Sequence, residues 1–184
     1  MISALTGSYR SLLPWDELAL FEHLRRLSRE DLRARFMGSP SEEALRRHAD
    51  RPLGPDRQVI GWFHEAALRG AAELRFAGGE VEAALTVEPE FRRRLVGSGL
   101  LARALLRARS RGARRLWFHT RRDNAAMLAL ARRFGAVTAG LGGEVEGRIE
   151  VRPDAAAFWF DLVQEEAGQL LAPLHWQARH LETR

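Results

Sequence analysis

Residues 81–135 read VEAALTVEPEFRRRLVGSGLLARALLRARSRGARRLWFHTRRDNAAMLALARRFG, and no other stretch constrains the fold as tightly. Val81, Ala83, Leu85 and Val87 alternate with the period of a strand, carrying Glu82 and Thr86 on the other face, and Pro89 ends the run. An arginine-rich turn of Arg92, Arg93 and Arg94 leads through Leu95 and Val96 to Gly97 and Ser98, where helical spacing begins. Strand, basic turn and helix start, in that order, describe an anion site. A helix N-terminus offers unpaired N–H groups and partial positive charge, and guanidinium groups match the geometry of phosphate oxygens.

The helix that follows has Leu100, Leu101, Ala104, Leu105 and Ala108 on one face, with Arg103 and Arg107 on the other, and Gly112 stops it. Residues 115–120 read as a strand. Asp123 or Asn124 then starts a second helix containing Met127, which closes at Phe134-Gly135. A further alternating strand is expected over residues 145–151.

Composition narrows the functional classes. The 184 residues contain no Cys, which removes disulfides, thiolate metal ligands and a cysteine nucleophile, and fits a reducing compartment. No apolar run approaches the roughly 18 residues that span a bilayer, and the first residues lack a basic-then-apolar signal pattern. The expectation is a soluble, cytoplasmic protein with no membrane partner. All 29 basic residues are Arg, giving a net charge of +5 that cannot be discharged. Genomic base composition explains this as well as function does. The field would attract a polyanionic cofactor, an acidic protein or nucleic acid, and the last is disfavoured because no aromatic interleaving marks a base-stacking surface.

Upstream, a short edge strand is expected at residues 9–13, then helices over residues 14–26, 29–36 and up to 49. Leu18, Phe21 and Leu24, with Leu20 as a further candidate, share one side of the first, Ser28 caps the second, and Ser39, Pro40 and Glu42 form the start signal of the third. Three helices ahead of a sheet either wall a substrate cleft or simply pack. Strands follow at residues 59–63 and 71–76, with Arg69 and Gly70 in the turn between them. Gly78-Gly79 then makes a two-residue hairpin turn, which pairs Ala77 with Glu80, Arg75 with Glu82 and Glu73 with Ala84. Glu73, Arg75 and Glu82 thus share a face. Glu82 or Glu73 could act as a general base in a cleft; alternatively Glu82 pairs with Arg75 and Glu73 is merely solvated.

Gly97, Ser98, Gly99 and Ala102 also spell G-x-G-x-x-A, a dinucleotide-binding fingerprint. Context opposes that reading, since a charged, proline-containing loop separates Val87 from Gly97 and the acidic partner, Asp123, falls beyond the next strand. The same residues resemble the GCN5-related N-acetyltransferases. That family carries a strand, a proline, an aromatic residue and then Q/R-x-x-G-x-G/A opening a helix, matched by Val87, Pro89, Phe91, Arg92 and Gly97. Its second element, an asparagine followed by a helix ending in Gly-Phe, is matched by Asn124, Met127, Leu130 and Phe134-Gly135-Ala136. LSREDLRARFMGSP, residues 27–40, is similar to the segment ahead of the sheet in the bacterial protein lysine acetyltransferase branch. The likeness spans about residues 12–137. One departure is Leu95, where the family has its first glycine; a register over Arg94 to Gly99 would satisfy the letters but lies two residues too late.

The resemblance implies an α/β (α+β) fold with a mixed central β-sheet flanked by helices over residues 1–152. A helical extension is expected over residues 153–184, where Pro153 and Asp154 begin an aromatic-rich helix and the tail covers the sheet or meets a second subunit in a homodimer. It also implies acetyl-CoA as co-substrate, with Leu85, Thr86 and Val87 along the pantetheine arm. Arg92, Arg93, Arg94, Leu95, Val96, Gly97 and Ser98 would surround the pyrophosphate, and Asn124 and Met127 would lie beside the cofactor, Asn124 alternatively serving only as a helix cap. Glu82 matches the branch's strand glutamate and is the implied base. The family's tyrosine acid falls on Ala131, so a water or Ser98 would take that role. The acceptor implied is an amine, a protein lysine first and a small molecule second; an acyl-CoA sensor without turnover is the non-enzymatic alternative. The six His show no metal spacing, His175 and His180 included. His119 ends a strand and is either structural or an auxiliary base, and G-S-G at Ser98 is not a nucleophile elbow.

Overall fold

The computed structural model describes residues 7–140 and 142–152. Seven strands form one sheet: β1 (Gly7–Ser11), β2 (Arg57–His64), β3 (Ala67–Ala77), β4 (Glu80–Val87), β5 (Arg115–Arg121), β6 (Val137–Ala139) and β7 (Glu144–Glu150). Their order is β1-β2-β3-β4-β5-β7-β6. Every neighbouring pair is antiparallel except β4 and β5. A parallel pair needs a crossover, and the 15-residue α4 (Val96–Ser110) supplies it.

Helix α4 covers one face. Leu100, Leu101, Ala104 and Ala108 are fully buried in a core with Val81, Ala83, Leu116 and Phe118. Each such leucine contributes about 1.5–3 kcal/mol by leaving water. Arg107 departs from expectation, because it is buried rather than on the solvent side. Its guanidinium donates to Gln58 Oε1 at 2.9 Å and Ser11 Oγ at 3.2 Å, so the charge is drawn under the β1–β2 edge. Helix α5 (Ala125–Arg133) adds Ala131, Met127 and Leu130 to the same core.

The opposite layer holds α1 (Glu17–Arg25), α2 (Arg29–Phe36) and α3 (Glu42–Ala49). Leu20, Leu24, Leu45 and Ala49 pack there against Val59, Phe63, Leu68 and Ala71. Leu18 is 56% exposed instead of buried, since the inward face of α1 is set by Leu20, His23 and Leu24 at i, i+3 and i+4. Ser28 caps α2 as expected, but α3 is capped by Ser41, whose Oγ accepts from Ala44 N at 3.2 Å; Ser39 and Pro40 precede the cap.

The β2–β3 turn falls at Glu65-Ala66, both at positive φ (49° and 58°), while Arg69 and Gly70 lie inside β3. A two-residue turn made without glycine leaves no signal of the usual kind. Strand β6 was also unmarked: all three residues are exposed, so there is no alternation to find. The expected extension over residues 153–184, with its dimer role, lies outside the described residues. No helix among the described residues is long and apolar enough to cross a membrane.

Candidate active site

Strands β4 and β5 pair only at Glu80↔Arg115, Val81↔Leu116 and Glu82↔Trp117, although β4 continues to Val87 and β5 to Arg121. Beyond Glu82 the strands part. The hairpin register fixes what faces the gap. Gly78 and Gly79 form the turn at φ 58° and 76°, so Ala77 and Glu80 are the first hydrogen-bonded pair and even-numbered β4 residues turn their backbone groups toward β3. Glu88 N donating to Arg69 O at 3.0 Å continues that alternation. The odd-numbered Ala83, Leu85 and Val87 therefore present backbone groups to the gap. Arg92 Nε donates to Val87 O at 2.9 Å, and the groups of Ala83 and Leu85 can pair with an extended polar chain laid between the strands.

At the mouth of the gap stands the N-terminus of α4. The first intrahelical bond runs from Gly99 N to Leu95 O at 2.9 Å, so the amides of Val96, Gly97 and Ser98 precede it as orphan donors. Leu95 is the N-cap and takes φ 63°, with Arg93 at 57°: both adopt the left-handed conformation that favours glycine, at a cost of about 1–2 kcal/mol per residue. Leu95 is 67% exposed. Leu95→Gly is therefore expected to raise stability by roughly 1 kcal/mol through relief of that strain, checked by urea melts; a loss of stability would show that the turn carries no strain. Gly97 and Gly99 lie within α4, and Tyr9 packs so closely that a Cβ on Gly99 would fall 2.1 Å from its hydroxyl oxygen. Gly99 thus serves the packing of α4 on Tyr9, whereas a Cβ on Gly97 would meet only ordinary contacts with Leu130 and Val87.

The three arginines divide. Arg93 and Arg94 are exposed beside the orphan amides, whereas Arg92 Nη2 sits 2.6 Å from Asp31 of α2. Burial raises the Asp31 carboxyl pKa, but hydrogen bonds from Ser28 and Arg92 outweigh it and leave the pKa lowered. Arg92 thus ties the loop to the helical wall.

Within the gap lies a cavity of about 80 Å³ lined by Arg35, Leu85, Thr86, Arg92, His119, Asn124 and Met127, among others. Five of the residues named from the motifs converge on it. Asn124 is committed at both ends: Oδ1 accepts from Met127 N at 3.1 Å and Nδ2 donates to Thr120 Oγ1 at 3.0 Å, so the helix-cap role is real. His119 is exposed, edge-on to Trp117 at 4.9 Å. Ala131 is fully buried and offers no acid. A wider open pocket, about 600 Å³, lies between Arg33, Ser39, Arg121, Asp123 and Glu144.

The hairpin places Glu73 opposite Ala84 and Arg75 opposite Glu82, as the turn predicts. Glu73 is not solvated. It is 7% exposed, with Arg35 Nη2 at 2.8 Å, His48 Nε2 at 2.7 Å and Arg57 Nη2 at 3.0 Å. Burial pushes its pKa up, but these cations hold it well below the usual carboxylate range. A carboxylate so held does not take up a proton near neutrality, and this corrects Glu73 as a candidate base. Glu82 is half-buried at the last β4–β5 pair, and no ion pair joins it to Arg75.

One acidic residue was missed. Glu88, read as part of the loop before Pro89, is 2% exposed and accepts from Arg26 Nε at 2.8 Å and Arg69 Nη1 at 2.9 Å, with His23 Nδ1 at 3.0 Å. Burial raises its pKa, but those donors prevail and lower it to about 2. The fully buried His23 places Nε2 2.9 Å from Thr86 Oγ1. The available signal was parity: Glu88 continues the face of Glu82 and Thr86, which turns toward α1. Among the described residues, no group of three or more His, Asp or Glu could hold a metal.

Parallel strands parted beside a helix N-terminus leave a slot with unpaired backbone groups along it and anion-binding amides at its mouth. The sequence profile of the Acetyltransferase (GNAT) family matches residues 21–136, more than half of the chain. The chain belongs to that family and is an acyltransferase. Solved structures share its mixed α/β fold. The GNAT domain of S. lividans PAT aligns with TM-score 0.71 at 20% identity, covering 79% of this chain and 90% of that one. The ribosomal-protein-S18-alanine N-acetyltransferase from Escherichia coli aligns with TM-score 0.63 at 19% identity, covering 80% and 95%. The phosphinothricin acetyltransferase from Sinorhizobium meliloti, solved with AcCoA, aligns with TM-score 0.65 at 19% identity, covering 82% and 91%. A search of curated proteins by sequence finds no match.

Proposed function

We propose that the protein transfers the acetyl group of acetyl-CoA to an amine by direct attack within a ternary complex. The observation that carries this reading is the gap between β4 and β5 with the α4 N-terminus at its mouth. Acetyl-CoA is the co-substrate, the ligand in the phosphinothricin acetyltransferase complex, and when bound it supplies the thioester. The residues fit it: the amides of Val96, Gly97 and Ser98, with Arg93 and Arg94 beside them, suit a pyrophosphate, and the backbone groups of Leu85 suit an amide-bearing arm. Thr86, Asn124 and Met127 shape the cavity wall.

Glu82 is the base that accepts a proton from the acceptor ammonium, through a water. It occupies the apex of the gap, and no ion pair joins it to Arg75. The acceptor is a protein lysine side chain, a reading that rests on the likeness of residues 27–40 to the lysine acetyltransferase branch. These residues form α2 and the loop that lines the wider pocket. Calorimetric titration with acetyl-CoA, followed by NADP, tests the reading. Saturable binding of acetyl-CoA and none of NADP is expected; a protein inert to acetyl-CoA would overturn it.

A further inference from the structure

Thr86, His23 and Glu88 form a hydroxyl–imidazole–carboxylate chain that starts at the cavity wall and ends inside the protein. Thr86 lines the cavity in the β4–β5 gap. Its Oγ1 lies 2.9 Å from His23 Nε2, and His23 Nδ1 lies 3.0 Å from Glu88 Oε1. His23 is fully buried and Glu88 is 2% exposed, so the chain meets solvent and substrate only through Thr86. Arg26 and Arg69 also donate to Glu88 and fix it as a carboxylate. A carboxylate can only accept from its neighbour, so His23 carries its proton on Nδ1. In the neutral ring Nε2 is then bare, and the Thr86 hydroxyl donates to it. This is the arrangement by which a buried carboxylate and imidazole make a hydroxyl proton transferable.

The chain lies where a group is missing. Direct attack moves two protons: the acceptor ammonium loses one before it attacks, and the attacking nitrogen loses a second while the departing sulfur gains one. Glu82 accounts for the first. Ala131 offers nothing for the second.

We infer that Thr86 is a catalytic residue that carries the second proton from nitrogen to sulfur, with His23 and Glu88 as the positioning residues behind it. The inference rests on the acetyl-transfer reading. As the N–C bond forms and the carbonyl pair moves to oxygen, the nitrogen gives a proton to Thr86 Oγ1 while the Thr86 proton passes to His23 Nε2. Glu88 stabilises the imidazolium. When the C–S bond breaks, its electron pair stays on sulfur, the sulfur takes the proton from Thr86, and His23 returns its own. The amide and the free thiol are released, and the chain is restored with no net proton consumed.

The test compares the unsubstituted protein with Thr86→Val, which keeps the shape without the hydroxyl, and Thr86→Ser, which keeps the hydroxyl. Thiol release from acetyl-CoA is followed with and without a tripeptide bearing a free lysine side chain, and acetyl-CoA affinity is measured by calorimetry. Thr86→Val is expected to lower kcat at least about 100-fold with acetyl-CoA Kd within about twofold, and Thr86→Ser to stay within about tenfold of the unsubstituted rate. A Thr86→Val protein that turns over within about threefold of the unsubstituted rate would overturn the relay alone. An unsubstituted protein that binds no acetyl-CoA would instead bring down the acetyl-transfer reading, and the relay with it. Long-range 1H–15N spectra of the free protein supply a readout independent of turnover. His23 protonated on Nδ1 with bare Nε2 is expected; a proton on Nε2 would sink the proposal.

Discussion

Glu82→Gln is expected to lower kcat by at least about 100-fold while leaving acetyl-CoA binding intact. The amide keeps the size and hydrogen-bonding reach of the side chain but cannot accept a proton. Binding is spared because the side chains of even-numbered β4 residues lie on the α1–α3 face, whereas the groups proposed to hold the arm are backbone groups of odd-numbered residues in the gap. Steady-state rates with a lysine peptide and titration with acetyl-CoA separate the two effects. Equal rates in the variant would remove Glu82 from the mechanism.

The second large effect concerns stability. Glu73→Gln strips the carboxylate from Arg35, His48 and Arg57 and leaves their donors facing one another in a buried site. A loss of about 3–5 kcal/mol is expected. For a domain of this size that corresponds to a fall in Tm of roughly 10 °C, measured by thermal melting at neutral pH. The same residue shapes the response to acid. Glu73 and Glu88 both have pKa values lowered from 4.5, so the folded state holds its carboxylates ionised where the unfolded chain has begun to protonate. Their contribution is full above about pH 5 and is lost as pH falls toward 2. Wild-type Tm should therefore drop steeply below about pH 5, and the Glu73→Gln protein should show a shallower drop from its lower starting point. Parallel Tm–pH curves for the two proteins would show that Glu73 titrates alike in both states.

What the sequence revealed and what it hid divide along physical lines. The β3–β4 register could be read in full because Gly78-Gly79 fixes the turn and a period of two carries that register along both strands. The α2 cap was equally plain, because Ser28 and Asp31 satisfy each other's backbone within one turn. These are local constraints. The buried carboxylate clusters are not. Glu73 meets partners 38, 25 and 16 residues away, and Glu88 meets partners 65, 62 and 19 residues away. Periodicity assigns such a residue to a face but not to the layer that covers it, so Glu73 could be read as a base in a cleft or as solvated, and Glu88 fell in the loop before Pro89. Arg107 and Leu18 exchanged their expected environments for a related reason: a charge is drawn inward when strand-edge acceptors reach it, and Leu18 is left outside because Leu20, His23 and Leu24 set the inward face of its helix. The Leu95 substitution was visible in sequence, but its effect was not, because the turn keeps its left-handed conformation at the cost of strain.

The cavity wall contains Arg35 and Arg92, and neither could be exchanged for lysine without chemical consequence. Charge alone would allow lysine at both places. An amine held there would be an intramolecular acceptor beside an activated thioester, at an effective concentration no dissolved substrate could match. Once acetylated it would lose its charge, freeing Glu73 from one of its cations or the basic turn from Asp31. A guanidinium does not shed its proton near neutrality and so is not a nucleophile toward that ester. With no lysine anywhere in the sequence, the protein can work beside a lysine-modifying reagent without its own side-chain amines becoming the product.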